Sequence, residues 1–186
     1  MSTAPLSQAI AISRGVLTAV TADQLKNSTP CASWDVAGLI NHIVGAQHFF
    51  ASGMQGAAPG ADAPDFAAGD YVAAFDAAAA VAVAEFEAEG ALTKTVTLPF
   101  GQFPGEAFMG LAVTDTFQHA WDLAKATGQD TNLAPELAAG ILAQARQSIP
   151  DAFRGPEGAP FGPQAEAPAD ASAADQLAAF LGRNAG

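Results

Sequence analysis

Apolar residues recur along this chain at spacings of three and four, the mark of helices that bury one face. A first helical pattern over 5–26 sets Leu6, Ile10, Leu17 and Val20 on one stripe. Asn27-Ser28-Thr29-Pro30 ends it, because Pro30 restricts Thr29 and lacks the amide that a further turn needs. A second pattern over 36–52 carries Val36, Leu39, Ile43, Ala46 and Phe50, with Asp35 placed as its N-cap. The Gly/Ala/Pro-rich stretch 53–64 reads as a loop. A third pattern over 65–88 buries Val72, Phe75, Ala79, Val83 and Phe86 and stops at Gly90.

The period then changes from helical to alternating. Thr93, Thr95 and Thr97 alternate with Lys94, Val96 and Leu98, which predicts a short strand. A turn and a second short strand follow within 99–105, where Gly101 and Gly105 read as turn glycines. A fourth helix over 106–127 ends at Gly128, and a fifth over 135–149 has Pro135 in its first turn. The Pro/Gly-rich stretch 150–168 reads as an ordered crossover, with a linker as the alternative, and a last short helix spans 171–181. Long helices with short connections predict a mostly α-helical antiparallel bundle. The hairpin-like insertion precedes its fourth helix, and 150–186 form a C-terminal extension packed on the bundle. A length of 186 residues, half of them hydrophobic, suits a single domain with one core.

Charge narrows the partners. Seven basic against 19 acidic residues give a net charge of −12, which repels phosphate backbones and anionic lipid; solubility alone also accounts for the acidity. The most apolar stretch, 77–84, is far too short to span a bilayer. Cys31 is the single cysteine, so a disulfide within one chain is excluded. A lone thiol, and an N-terminus without a basic cluster followed by an apolar run, place the expected compartment in the reducing cytoplasm. Monomer and homodimer both stay open.

The fourth helix holds a chemical misfit. Its stripe begins with Phe108 and Leu111 and continues with Asp115, His119 and Asp122, ionisable groups at core-facing positions. A buried carboxylate or imidazole costs several kcal/mol unless it is paired or bound to a metal. Asp115 and His119, four apart, leave the same helix face one turn apart and can grip one ion. His42 lies on the apolar stripe of the second helix, beside Ile43. Two imidazoles and one carboxylate make a common catalytic zinc set with positions left open, and nickel, iron or manganese suits the same donors. The competing reading is a satisfied core histidine and a buried Asp–His hydrogen bond without metal. His48 falls about 240° round the helix from His42 and is read as a surface or packing residue.

The residues around these positions resemble a known family. Thr29-Pro-Cys-Ala-Ser-Trp-Asp-Val36 and Leu39-Ile-Asn-His-Ile-Val44 resemble the opening of an actinobacterial family. That family is similar to the N-terminal domain of mycothiol-dependent maleylpyruvate isomerase, within the DinB-like metal-binding superfamily. Leu98-Pro-Phe-Gly101, Pro104-Gly105, Thr114-Asp-Thr-Phe-Gln-His-Ala-Trp-Asp-Leu-Ala-Lys-Ala-Thr-Gly128 and Ala179-Phe-Leu-Gly-Arg183 resemble its later signatures. The resemblance implies a DinB-like bundle of four main helices, with His42, Asp115 and His119 as ligands of a divalent metal. In the isomerase the carboxylate ligand is a glutamate. Asp115 is one methylene shorter, so the helices must approach more closely or Asp115 must bind through water. The isomerase carries a C-terminal domain with no match in these 186 residues, and maleylpyruvate is not carried over as the expected substrate.

Two function classes follow. One is a metal-dependent enzyme that activates a small thiol, mycothiol by resemblance, for attack on an electrophilic substrate, with hydrolysis as the second chemistry. The other is a non-catalytic metal- or ligand-binding helical module. Asp122 is read either as the acceptor that orients His119 or as a salt-bridge partner, Trp34 as a pocket wall or packing residue, and Arg183 as a carboxylate partner or an anion binder. Cys31 is read as a small buried or loop residue.

Overall fold

The structure, a computed structural model, describes residues 2–57, 64–99, 101–155 and 161–185. It is mostly helical with one small sheet. The interior of the expected 53–64 loop, Phe100 of the turn and 156–160 of the crossover lie outside the described residues.

Helix α1 (Ala4–Thr18) is shorter than its apolar pattern predicts. Beyond it, the Thr21 amide donates to Gln24 Oε1 at 3.0 Å, and Ala22–Gln24 form a single 3-10 turn. A local side-chain bond of this kind competes with the helical ladder. Helix α2 (Val36–Gln55) starts at the predicted cap, where the Asp35 carboxylate accepts from the Gly38 amide at 2.9 Å, a bond worth ~1 kcal/mol. It runs three residues further than predicted and closes on Gly56. Helix α3 (Tyr71–Glu87) begins later than predicted. Phe66–Ala68 form a separate turn, and Asp70 caps the helix through the Ala73 amide.

Strands β1 (Thr95–Leu98) and β2 (Gly101–Pro104) pair antiparallel, Thr95 opposite Pro104 and Leu98 opposite Gly101. Thr93 and Lys94, expected in the strand, instead turn back onto the Gly90 carbonyl. The alternation of β1 buries Val96 and Leu98 and exposes Thr95 and Thr97. Gly105 is the first residue of helix α4 (Gly105–Thr127) rather than a turn residue, and its amide donates to the Lys94 carbonyl at 2.8 Å. Glycine is needed here because a Cβ would run into the Ala91 carbonyl oxygen.

Helix α4 is the central element, touching α1, α2, α5 (Pro135–Ser148) and α6 (Ala173–Phe180). Trp121, wholly buried, donates its indole N–H to Asp175 at 2.8 Å and ties α4 to α6. Helix α2 lies against both α3 and α4, and α1 against α3 and α4. Phe50, Phe86 and Phe108 cluster in the core, while Leu17, Leu39, Ile40, Phe75 and Leu123 pack in a second apolar group. The described part of 150–168 is an ordered crossover. Arg154 Nη1 donates to the Phe180 carbonyl at 2.7 Å, and the Ala165 amide to that of Ala179 at 2.9 Å. No helix among the described residues is long and apolar enough to cross a membrane.

One expectation for α4 fails. Leu111, placed on the buried stripe, is 39 % exposed. The buried face of the first half of α4 runs through Phe108, Met109, Ala112, Val113, Thr116 and Phe117, so the 111–115 row lies at its edge. Along that edge exposure falls inward, from Leu111 to the Asp115 side chain at 29 % and the His119 side chain at 11 %. Asp115 therefore stands where the core opens to solvent rather than deep inside it.

Candidate metal centre

Three segments build the site. The first is the loop before α2. Thr29 Oγ1 donates to the Trp34 carbonyl at 2.8 Å and accepts from the Cys31 amide at 3.1 Å, which folds the loop over the start of the helix. Trp34 then stacks on the His42 ring, with centroids 4.4 Å apart and planes 24° apart. The second segment is α2, which carries His42 on the face turned toward α4. The third is α4 itself, whose helical spacing puts Asp115, His119 and Asp122 along one row.

His42, Asp115 and His119 converge. His42 Nε2 and His119 Nε2 each lie 3.6 Å from the same oxygen, Asp115 Oδ1, and the imidazole rings stand 4.4 Å apart at 74°. One donor atom from each residue falls within 4.8 Å of the others. A distance of 3.6 Å is too long for a hydrogen bond. His42 Nε2 is buried and has no hydrogen-bond partner. A buried nitrogen left in this state costs about 1–3 kcal/mol, and a cation shared with Asp115 removes that cost. The donors, two imidazole nitrogens and a carboxylate oxygen, fit a divalent metal of the zinc type. The Asp115 carboxylate, for all its shorter arm, lies 3.6 Å from both imidazole nitrogens.

The other face of His119 is occupied. Nδ1 lies 3.0 Å from Asp122 Oδ2. Asp122 is wholly buried and surrounded by donors: Gln118 Nε2 at 3.2 Å, Arg183 Nε at 3.1 Å, Arg183 Nη2 at 3.0 Å and the Cys31 thiol at 3.2 Å. Cys31, His119 and Asp122 form a second cluster of metal-ligand type. Here, however, the positive charge is built in, because the Arg183 guanidinium spans both Asp122 oxygens and lies 3.6 Å from Cys31 Sγ. The His42 cluster is the one left open to an added cation.

Electrostatics follow this geometry. In the metal-free protein burial works against the charged form of His119, but the Asp115 charge, then the bonds to Asp122 and Cys31, raise its pKa to about 10. Burial also disfavours ionised Asp122, yet His119 and Arg183 bring its carboxyl down to about 2. For Asp115, burial is outweighed by His119 and then His42, and its pKa falls below the ordinary carboxylate value.

His42, Asp115, His119, Asp122, Trp34 and Arg183 all lie in or beside this centre, and Arg183 pairs with Asp122. His48 is exposed and stacks on Phe66, away from it. What the sequence reading missed is Cys31, which touches Asp122 and lies 3.8 Å from His119 Nδ1. The available signal was its place in the Thr29-Pro30-Cys31 motif, four positions before Asp35, the N-cap of α2. Gln118, one turn before Asp122, was missed as well.

Residues 6–124 match the family described as the mycothiol maleylpyruvate isomerase N-terminal domain. The chain is 48% identical over 168 residues to the uncharacterized protein MT0763 of Mycobacterium tuberculosis strain CDC 1551 / Oshkosh, covering 90% of each chain. It is equally similar, over the same length and share, to the uncharacterized protein Rv0738 of Mycobacterium tuberculosis strain ATCC 25618 / H37Rv. No solved structure matches the chain.

Proposed function

The chain belongs to the mycothiol maleylpyruvate isomerase N-terminal domain family, and from that membership and the geometry of its site we propose that it is a metal-dependent enzyme of the thiol isomerase or S-transferase type. His42, Asp115 and His119 hold one divalent ion, zinc by preference. The observation that carries the reading is the pair of imidazole nitrogens facing one Asp115 oxygen at 3.6 Å each, with the nitrogen of His42 buried and unpartnered. When bound, such an ion supplies Lewis acidity that makes a small thiol, or water, a nucleophile near neutral pH.

The chain's own residues do the rest. Asp122 keeps the His119 proton on Nδ1, which leaves Nε2 as the donor. Trp34 covers one face of His42 and fixes its ring. The opening beside Asp115 and Leu111 admits the thiol and its electrophilic partner. The DinB-like arrangement of α1 to α4 as an antiparallel four-helix bundle belongs to this reading, supported by the mutual contacts of those helices.

Elemental analysis of the purified wild type beside an Asp115→Ala/His119→Ala variant tests the metal. One equivalent in the wild type and none in the variant is expected; equal metal in both sinks the proposal. A thiol-consumption screen with electrophiles, run on the metal-loaded protein, then separates an enzyme from a binding module.

A further inference from the structure

We infer that Arg183, in the tail after α6, is a positioning residue for the metal centre, acting through Asp122 on His119. The inference rests on the metal reading of that site. His119 can offer Nε2 toward the Asp115 side only while its proton stays on Nδ1, and Nδ1 faces Asp122 Oδ2 at 3.0 Å. Asp122 has no exposed surface, so water cannot hold its carboxylate in place. Arg183 does so instead: Nε reaches Oδ1 at 3.1 Å and Nη2 reaches Oδ2 at 3.0 Å, a two-point grip that only a guanidinium makes.

The tail that delivers Arg183 is itself pinned. The Arg183 amide donates to the Ala178 carbonyl at 2.9 Å, and Nη1 donates to the Leu181 carbonyl at 3.2 Å. Gly182, at φ 93°, packs on the backbone of Gly162 so closely that a Cβ would lie 2.7 Å from the Gly162 Cα. All of this lies outside the family match at 6–124. The helices inside the family match thus supply the ligands, while the C-terminal segment supplies the group that fixes the orientation of His119.

The test uses the full chain with cobalt(II) as the probe, read by its visible absorption. Arg183→Gln is expected to weaken cobalt binding about tenfold or more. Arg183→Lys, a point charge that cannot bridge both oxygens, is expected to fall between it and the wild type. Asp175→Asn takes the charge from the acceptor of the Trp121 indole and so weakens the tie between α4 and α6 without touching Asp122; it is expected to leave affinity unchanged. A second readout needs no metal: the His119 Nδ1–H resonance, protected from exchange in the wild type and in Asp175→Asn, is lost in Arg183→Gln. Unchanged affinity and an unchanged resonance in a folded Arg183 variant overturn the inference. So does an equal loss of affinity in Asp175→Asn, which makes the effect one of tail docking. Should Arg183→Gln not fold, Arg183→Lys decides on the same two readouts. Should the wild type bind no cobalt, the metal reading fails, and the resonance alone then judges Arg183.

Discussion

His42 Nε2 and His119 Nε2 belong to different helices yet stand at the same distance, 3.6 Å, from Asp115 Oδ1. On the proposed metal reading these three side chains form one donor set, and His42 is the ligand whose loss is easiest to read. His42 is nearly a third exposed and touches Trp34 by stacking, so His42→Ala leaves the bundle folded. Binding to the native state alone raises its stability. Zinc is therefore expected to raise the melting temperature of the wild type and to leave that of His42→Ala unmoved. An equal rise in both removes His42 from the donor set.

Asp122→Asn keeps the shape of the side chain and removes its charge. The amide can no longer accept from both His119 and Arg183 as a carboxylate does, and metal affinity is expected to fall about 10- to 100-fold. The guanidinium of Arg183, 17 % exposed at its side chain, loses its counter-charge, and thermal stability drops as well. A metal titration that is unchanged in the variant refutes the orienting role of Asp122.

Proton and metal compete for His119. In the metal-free protein its folded pKa, about 10, stands above the unfolded value of 6.5. The stability from this group is full below pH 6.5 and is lost as pH rises through about 10. Asp122 has the opposite sign: its contribution is full above 3.8 and is lost as pH falls through about 2. Metal-free protein is thus expected to melt highest between about pH 4 and 6.5. Metal must displace the His119 proton, so affinity is expected to rise with pH below 10, with proton release into buffer. Calorimetric titration in two buffers of different ionisation enthalpy measures that release, and a value of zero at pH 8 contradicts the scheme.

How far the sequence reveals this molecule depends on how local each determinant is. The Asp35 cap, the Gly128 stop and the alternation of 95–98 rest on neighbours in sequence and are visible there. Spacing put Asp115 and His119 on one face, and the apolar stripe put His42 toward the core. Spacing did not reveal that Leu111 lies at an edge, because the width of a buried face depends on how many helices surround it, and α4 is packed by four. At the early end of α1 the Thr21 amide bonds the Gln24 side chain, a local bond that competes with the helical ladder. Cys31 reaches His119 only because the chain turns at Thr29 and Trp34, a tertiary fact that a single thiol in a sequence does not announce.

Two glycine substitutions in helices are expected to act in opposite directions. At the start of α4 the backbone of Gly105 lies against the Ala91 carbonyl, and its amide donates to Lys94. A methyl group added by Gly105→Ala meets fixed backbone rather than a flexible side chain, so the junction between the β2 strand and α4 must shift. Overpacking of this kind costs roughly 1–3 kcal/mol. Because α4 carries Asp115, His119 and Asp122, the shift is also expected to weaken metal binding. Gly15, exposed in the last turn of α1, has nothing within 4 Å of an added Cβ and keeps an ordinary φ. There Gly15→Ala is expected to stabilise the protein by about 0.5–1 kcal/mol through lower backbone entropy of the unfolded chain, with metal affinity unchanged. Urea melts of both variants beside the wild type check the signs, and a Gly105→Ala protein as stable as Gly15→Ala contradicts the close approach of α4 to Ala91.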